Sequence, residues 1–484
     1  MTFAAPAPGK ALPRIIQGGM GVAISNWRLA RAVSSLGQLG VVSGTGLDTV
    51  LVRRLQDGDP GGHVRRAAST FPLQDIARDV VSRYYRPEGR GGLPYKRLPV
   101  RLGGATPFQR GVTMLANFVE IRLAKEGHSN PVGLNLLTKV QSHTLESLYG
   151  AMLAGVDVVL MGAGIPREIP KILDQLAAGV RASLRFDVTG LAAGEPSPQL
   201  HLDPSEMGLE HFNPPRPRFY PIVASSLLAN IMAKKASGSI EGFIVEGPTA
   251  GGHNAPPRGE VHFDPSGQPI YTERDIVDLQ AIGSLGLPFW VAGGSGSPQG
   301  LLDAEAAGAS GIQVGTIFAY CEESGMQPDL RRQVLEASQA GQLNVRTDPL
   351  ASPTGFPFKV ANVEGTISER REYEDRTRVC DLGYLREVYK KADGGLGYRC
   401  AAEPLSAYTS KGGKLEDTVG RKCLCNALMA SAGQPQVQRG GELERPIVTS
   451  GDDVTRLGSL LGKEWRYSAA RALDYLLGRQ QSLT

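Results

Sequence analysis

Residues 291–316 read VAGGSGSPQGLLDAEAAGASGIQVGT. A β-type run beginning at Phe289 ends at Gly293-Gly294, a Ser/Gly turn follows, and Pro298–Ala307 has the pattern of a helix. A second β-type run, Gly311–Val314, then ends in Gly315-Thr316. Strand, helix and strand in so few residues make a βα unit whose two strands run parallel. Both strands end in glycine at the same edge.

The same grammar repeats upstream. Arg14–Gln17, Leu39–Ser43, Val132–Leu137, Asp157–Met161, Tyr220–Ala224 and Gly242–Val245 are continuous apolar runs, as expected of parallel strands covered on both faces. Helical patterns follow at Asn26–Leu36 (with Asn26 as N-cap), Leu47–Gln56, Thr144–Ala154, Arg167–Ala177 and Leu227–Lys235. Eight such units favour a (β/α)8 TIM barrel over a doubly wound open sheet, and in a barrel the working face lies at the strands' C-terminal ends. A ninth candidate strand, Arg181–Val188, is assigned to an insertion hairpin. The barrel is expected over residues 12–340, with insertions at about 57–128 and 189–218. A C-terminal extension over 341–484 is expected to be a helical lid or small domain.

Composition narrows the class. In 484 residues, 41% are hydrophobic and 21% charged, which is ordinary for a globular chain. The net charge of +4 is small and argues against a nucleic-acid binder. MTFAAPAPGKALPR at the N-terminus has no signal-peptide core, and no apolar run is long enough for a membrane span. Five cysteines do not suggest a disulfide scaffold, so a reduced, cytoplasmic protein is expected.

Four stretches bear on chemistry. Gly293, Gly294, Gly315 and Thr316 would bring backbone N–H groups from two adjacent strand ends to one point, where barrels commonly hold a phosphate. Singly, each glycine pair would only make a tight turn. In IIQGGMGVAIS, residues 15–25, the glycines would let a flat ring lie close to the backbone with Met20 as a polarisable contact; alone, this reads as a turn with a core methionine. Asn135, at the end of GLNLL, must either satisfy local backbone or meet the polar edge of a cofactor. In IVEGPTAGGHNAPPRG, residues 244–259, His253 stands between Gly251-Gly252 and Pro256-Pro257. Elsewhere a lone histidine reads as a surface residue, but this setting would hold the imidazole over the barrel mouth, with a pKa suited to proton transfer.

In their order, IIQGGMG, GLNLL, EGPTAGGH, AGGSG and QVGT resemble the nitronate monooxygenases, formerly 2-nitropropane dioxygenases. That family shares a superfamily with flavin-dependent enoyl-acyl-carrier-protein reductases and the reductase components of polyunsaturated fatty-acid synthases. The resemblance covers residues 12–320 less the insertions. It implies FMN, with its phosphate on Gly293, Gly294, Gly315 and Thr316, its ring against Met20 and Asn135, and Gly251 and Gln313 lining the site. His253 matches the family's base, which takes the α-proton of a neutral nitroalkane; O2 is the electron acceptor. Glu246 and Thr249 depart from the family's usual Gln and Glu, and a carboxylate at 246 would disfavour an anionic reduced ring. The alternative activity is an enoyl reductase fed by NAD(P)H with an acyl carrier protein as partner; a non-catalytic flavin-binding subunit is a third reading. A small-molecule substrate is common to the first two, and a homo-oligomer is compatible with all three.

Two clusters stay outside that scheme. Arg83, Arg86, Arg90, Lys96, Arg97 and Arg101 form either a solvated insert or a docking patch for an acidic carrier protein or a nucleotide phosphate, which would favour the reductase. Cys380, Cys400, Cys423 and Cys425 are four thiols that could hold zinc or an iron–sulfur cluster, but they lack a CxxC pair and C-x-C inside KCLCNALMA reads more readily as helix core, so no metal residue is assigned.

Overall fold

The computed structural model describes residues 12–101, 104–461 and 465–483; the N-terminal stretch read above for a signal peptide lies largely outside them. Eight parallel strands close into a barrel: β1 (Ile15–Gln17), β2 (Leu39–Ser43), β3 (Val132–Leu137), β4 (Val158–Gly162), β5 (Arg218–Val223), β6 (Phe243–Glu246), β7 (Phe289–Ala292) and β8 (Gly311–Val314). They stand in chain order around the ring, and Ile16 opposite Gln313 joins β8 to β1. This is the (β/α)8 barrel expected from the pattern, with the closed sheet excluding the open doubly wound alternative.

Two apolar layers explain the continuous runs. Inside the barrel, Ile16, Val41, Leu160, Tyr220, Ile244 and Trp290 form a closed core of their own. Tyr220 and Trp290 stack with centroids 5.0 Å apart, and Trp290 Nε1 donates to the Pro13 carbonyl at 2.7 Å. Alternate strand residues such as Ile15, Val42, Leu134 and Val159 face the helices in the larger outer core. With both faces buried, no polar residue marks one side.

The helices expected after the strands are present, the first capped by Asn26, whose side chain accepts from the Arg28 and Leu29 amides. Residues 182–202 form the hairpin assigned to the ninth candidate strand, Ala182–Arg185 pairing antiparallel with Gln199–Leu202. Residues 57–128 are more ordered than the proline, glycine and basic content implied. They include helices His63–Ala68, Gln74–Tyr84 and Pro107–Ala124. The last is a full barrel helix, with 13 of its 18 residues buried against Trp27–Ser35, Leu47–Gln56 and Thr144–Leu153.

The C-terminal part adds two hairpins, Asn344–Asp348 with Phe358–Asn362 and Glu387–Lys390 with Leu396–Arg399, to its short helices. Ala361, Met429, Val454 and Leu473 join the main core, while Ala351, Phe358, Ile367, Leu424 and Ile447 form a small one. The extension is therefore packed into the barrel and ends up over its C-terminal face. Tyr384 donates to Asp48 Oδ1 at 2.5 Å and shares a 2.6 Å hydrogen bond with Thr49, pinning the extension to a barrel helix. Among the described residues, no helix is long and apolar enough to cross a membrane.

Candidate active site

The loops after the strands enclose a cavity of about 220 Å³ at the C-terminal face. Met20, Asn135, Gly251, His253, Gly293, Gly294, Gln313, Gly315 and Thr316, the residues singled out in the sequence, all line it. They come from the ends of β1, β3, β6, β7 and β8, so barrel closure, rather than chain proximity, assembles them.

Close packing makes two of the glycines obligatory. A Cβ on Gly19 would lie 2.3 Å from the Asn135 Cβ, and one on Gly251 would lie 2.8 Å from the Gly451 amide nitrogen. Gly293 and Gly294 adopt φ of 88° and 69°, the left-handed region that glycine enters without strain. Among the described residues, the amides of Gly293, Gly294, Gly315 and Thr316 find no acceptor. Unmatched N–H groups from two neighbouring loops are a setting for an anion.

Orphaned acceptors lie in the same cavity. Asn135 Nδ2 donates to the Gly19 carbonyl at 3.3 Å, but its Oδ1 has no partner, nor have Gln313 Oε1 and Ser450 Oγ. A buried polar atom without a partner costs about 1–3 kcal/mol, so three around one cavity suit a polar, ring-sized occupant. The residues present thus fit a flavin: free amides for a phosphate, unpaired side-chain oxygens for the ring's polar groups, and Met20 beside Gly315 as an apolar contact.

His253 is held from the side that the sequence did not reveal. Its Nε2 shares a 2.7 Å hydrogen bond with Ser352 Oγ, and its ring meets Phe358 edge to face at 4.9 Å. The backbone joins them too, with the Lys359 amide donating to the Gly252 carbonyl at 2.8 Å and the Asn254 amide to that of Pro357 at 2.9 Å. Burial, and secondarily the charge of Lys139, lowers the His253 pKa to about 4, so the imidazole is neutral and able to accept a proton near pH 7. Glu246, at the end of β6, is pushed up to about 7 by burial. It therefore carries much less negative charge than an exposed carboxylate, easing the conflict with a reduced ring.

The extension supplies what sequence reasoning missed. Thr449, Ser450, Gly451 and Asp453 line the cavity, the Gly451 amide donates to Thr316 Oγ1 at 3.2 Å, and the Gly252 amide donates to Thr449 Oγ1 at 2.9 Å. Nothing local in ERPIVTSGDD, residues 444–453, signals a site.

Residues 218–348 match the family profile described as nitronate monooxygenase. This part of the chain is similar to the nitronate monooxygenases. The match holds His253 and both glycine-ended loops, whereas Met20 and Asn135 reach the same cavity from outside it. A probable nitronate monooxygenase of Bacillus subtilis (strain 168) is 34% identical over 97 residues, covering 20% of this chain and about a quarter (26%) of that relative. Among solved structures, FabK from Thermotoga maritima aligns at 17% identity with a TM-score of 0.47, covering 97% of this chain and 92% of that one. Nitroalkane oxidase from Streptomyces ansochromogenes aligns at 15% identity with a TM-score of 0.45, covering 96% of each chain.

The two outlying clusters also find their places. Arg83 pairs with Asp79 at 2.6 Å, Arg90 with Asp57 at 3.1 Å, Arg97 with Asp381 at 3.5 Å and Arg101 with Glu146 at 3.4 Å. Much of that positive charge is spent within the chain, which weakens the docking-patch reading. Cys380, Cys400, Cys423 and Cys425 gather around one small cavity as free thiols. Among the described residues, no three His, Cys, Asp or Glu side chains are posed to hold a metal ion.

Proposed function

We propose that this chain is an FMN-dependent oxidoreductase of the nitronate monooxygenase type, oxidising nitroalkanes and nitronates with O2 as a cytoplasmic enzyme. The observation that carries the reading is His253, which is desolvated, neutral and fixed by Ser352 at the rim of a cavity lined with unpaired amides and acceptors. Gly293, Gly294, Gly315 and Thr316 would hold the phosphate, and Met20, Asn135, Gly251 and Gln313 would surround the ring. When bound, FMN supplies the electron transfer between carbon substrate and O2.

The protein's own part is proton chemistry and exclusion of water. With Nε2 engaged by Ser352, Nδ1 is the atom left to take the α-proton of a neutral nitroalkane. A substrate supplied already as its nitronate has no such proton to give. Phe358 and the 449–453 loop close the site over the base, which keeps the acceptor in a low dielectric.

The test compares two forms of one substrate. His253→Asn is expected to lower kcat/KM for nitroethane by about 10²–10⁴-fold, with turnover of pre-ionised ethylnitronate kept within a few-fold. Equal losses on both forms would remove the base role. Flavin bleached by NADPH but not by nitronate would transfer the site to the enoyl-reductase alternative.

A further inference from the structure

A second cavity, about 690 Å³, opens beside the first, and Tyr384 and Leu385 line both. Its size falls within the roughly 300–1,000 Å³ of small-molecule sites. Six cationic side chains line it, Arg101, Lys139, Arg185, Arg386, Arg399 and Arg421, against three carboxylates. The charge is only partly balanced within the protein. Arg101 pairs with Glu146 at 3.4 Å, Arg399 with Glu387 at 2.8 Å and Arg185, at 3.8 Å, with Asp187. Among the described residues, Lys139, Arg386 and Arg421 have no carboxylate within 4.0 Å.

Each of these three is held in place nonetheless. Lys139 Nζ lies 4.1 Å from the centroid of the Phe356 ring. Arg386 donates to the Cys380 carbonyl at 2.9 Å and to its Sγ at 3.4 Å, and Arg421 to the carbonyls of Leu350 and Ser352 at 3.0 and 2.7 Å. A carbonyl or a ring face orients a cation without neutralising it, so Lys139 and Arg421 keep their charge for an anion from outside, whereas Arg386 shares its own with Cys380, whose pKa the Cys400 hydrogen bond and Arg386 lower to about 6. The cleft is also wired to the base: Thr354, in its wall, hydrogen bonds Ser352 Oγ at 2.8 Å, and Ser352 bonds His253 at 2.7 Å.

We propose that this cleft binds the diphosphate-bearing tail of a small molecule whose reactive end reaches the His253 cavity. Two negative charges are needed to answer Lys139 and Arg421, which a single carboxylate would not do. Guanidinium groups beside an ammonium are the donor set that phosphate oxygens take. The inference rests on the proposed flavin site only for where the reactive end lies. Two sources carry such a tail, an acyl thioester of a phosphopantetheine nucleotide or a nicotinamide dinucleotide.

Inorganic pyrophosphate titrated into the purified full-length protein by calorimetry, at low salt, tests the cleft apart from any turnover. Saturable 1:1 binding is expected, weakened at least ten-fold in Lys139→Glu and less in the exposed Arg185→Glu, which guards against a folding artefact. Absence of saturable binding, or equal binding by wild type and Lys139→Glu, overturns the proposal. Coenzyme A and NADP+ are then titrated. Tighter binding of one than of pyrophosphate, lost in Lys139→Glu, supports a tail site and names its source. Neither binding more tightly reduces the cleft to an adventitious ion only and overturns it. Flavin retention and nitronate turnover, measured on the same preparations, report separately on the proposed function.

Discussion

At the scale of single residues, the site depends on contacts that are close and unforgiving. Ser352 is the only partner given to the His253 ring nitrogens by hydrogen bonding among the described residues. Ser352→Ala should leave the fold intact, free the imidazole to rotate, and lower kcat/KM for neutral nitroethane about ten-fold or more. Ethylnitronate, needing no proton removed, should change little; steady-state kinetics on both forms checks this, and a parallel loss would assign Ser352 to packing instead. Gly19 shows a different dependence. Its φ is unremarkable, but a methyl group there would overlap the Asn135 Cβ, 2.3 Å away. Gly19→Ala is therefore expected to cost about 1–3 kcal/mol by overpacking and to loosen flavin binding through displacement of Asn135, as chemical denaturation and a flavin titration would show. The sequence drew attention to the right glycine for a different reason: room for a ring was expected, and room for Asn135 is what the structure shows.

At the scale of elements, legibility followed burial geometry. The eight strands could be read because a parallel strand buried on both faces is a short apolar run, and glycine ended most of them. Helix Pro107–Ala124 was passed over because it is apolar around most of its circumference, so it lacks the one-sided stripe that marks a surface helix. Its signal was local: Thr106 accepts from the Gln109 amide at 3.2 Å while Gln109 Oε1 accepts from the Thr106 amide at 3.0 Å, a reciprocal cap followed by proline. Thr106→Ala should lower the unfolding free energy by about 1 kcal/mol, measured in urea, whereas Thr106→Ser should be nearly silent. No change in Thr106→Ala would mean that tertiary burial alone sets where this helix begins. The rest of the unread part has another cause. Ser352, Thr449 and Gly451 lie 99, 197 and 135 residues from His253, Gly252 and Thr316, the residues they hold, and no periodicity records a contact of that separation.

At the scale of the whole molecule, the cavity holds two ionisable groups that burial moves in opposite directions, and this has consequences for stability. His253 falls from 6.5 to about 4 in the folded protein, so the unfolded chain takes up the proton first as the pH drops. Its contribution favours the fold above about 6.5 and is lost between there and 4, giving stability that rises with pH. Glu246 rises from 4.5 to about 7, so the folded protein holds the proton more tightly. Its contribution is fullest below 4.5 and is lost as the pH climbs towards 7, giving stability that falls with pH. Between about pH 4.5 and 6.5 the two slopes oppose and largely cancel, each being at most about 1.4 kcal/mol per pH unit. Difference curves separate them from every other titrating group. On preparations of equal flavin content, Glu246→Gln minus wild type should gain unfolding free energy with rising pH across this window, and His253→Asn minus wild type should lose it. If both difference curves are flat, neither group is desolvated in the folded protein. The neutral base on which the proposed chemistry stands would then be lost with them.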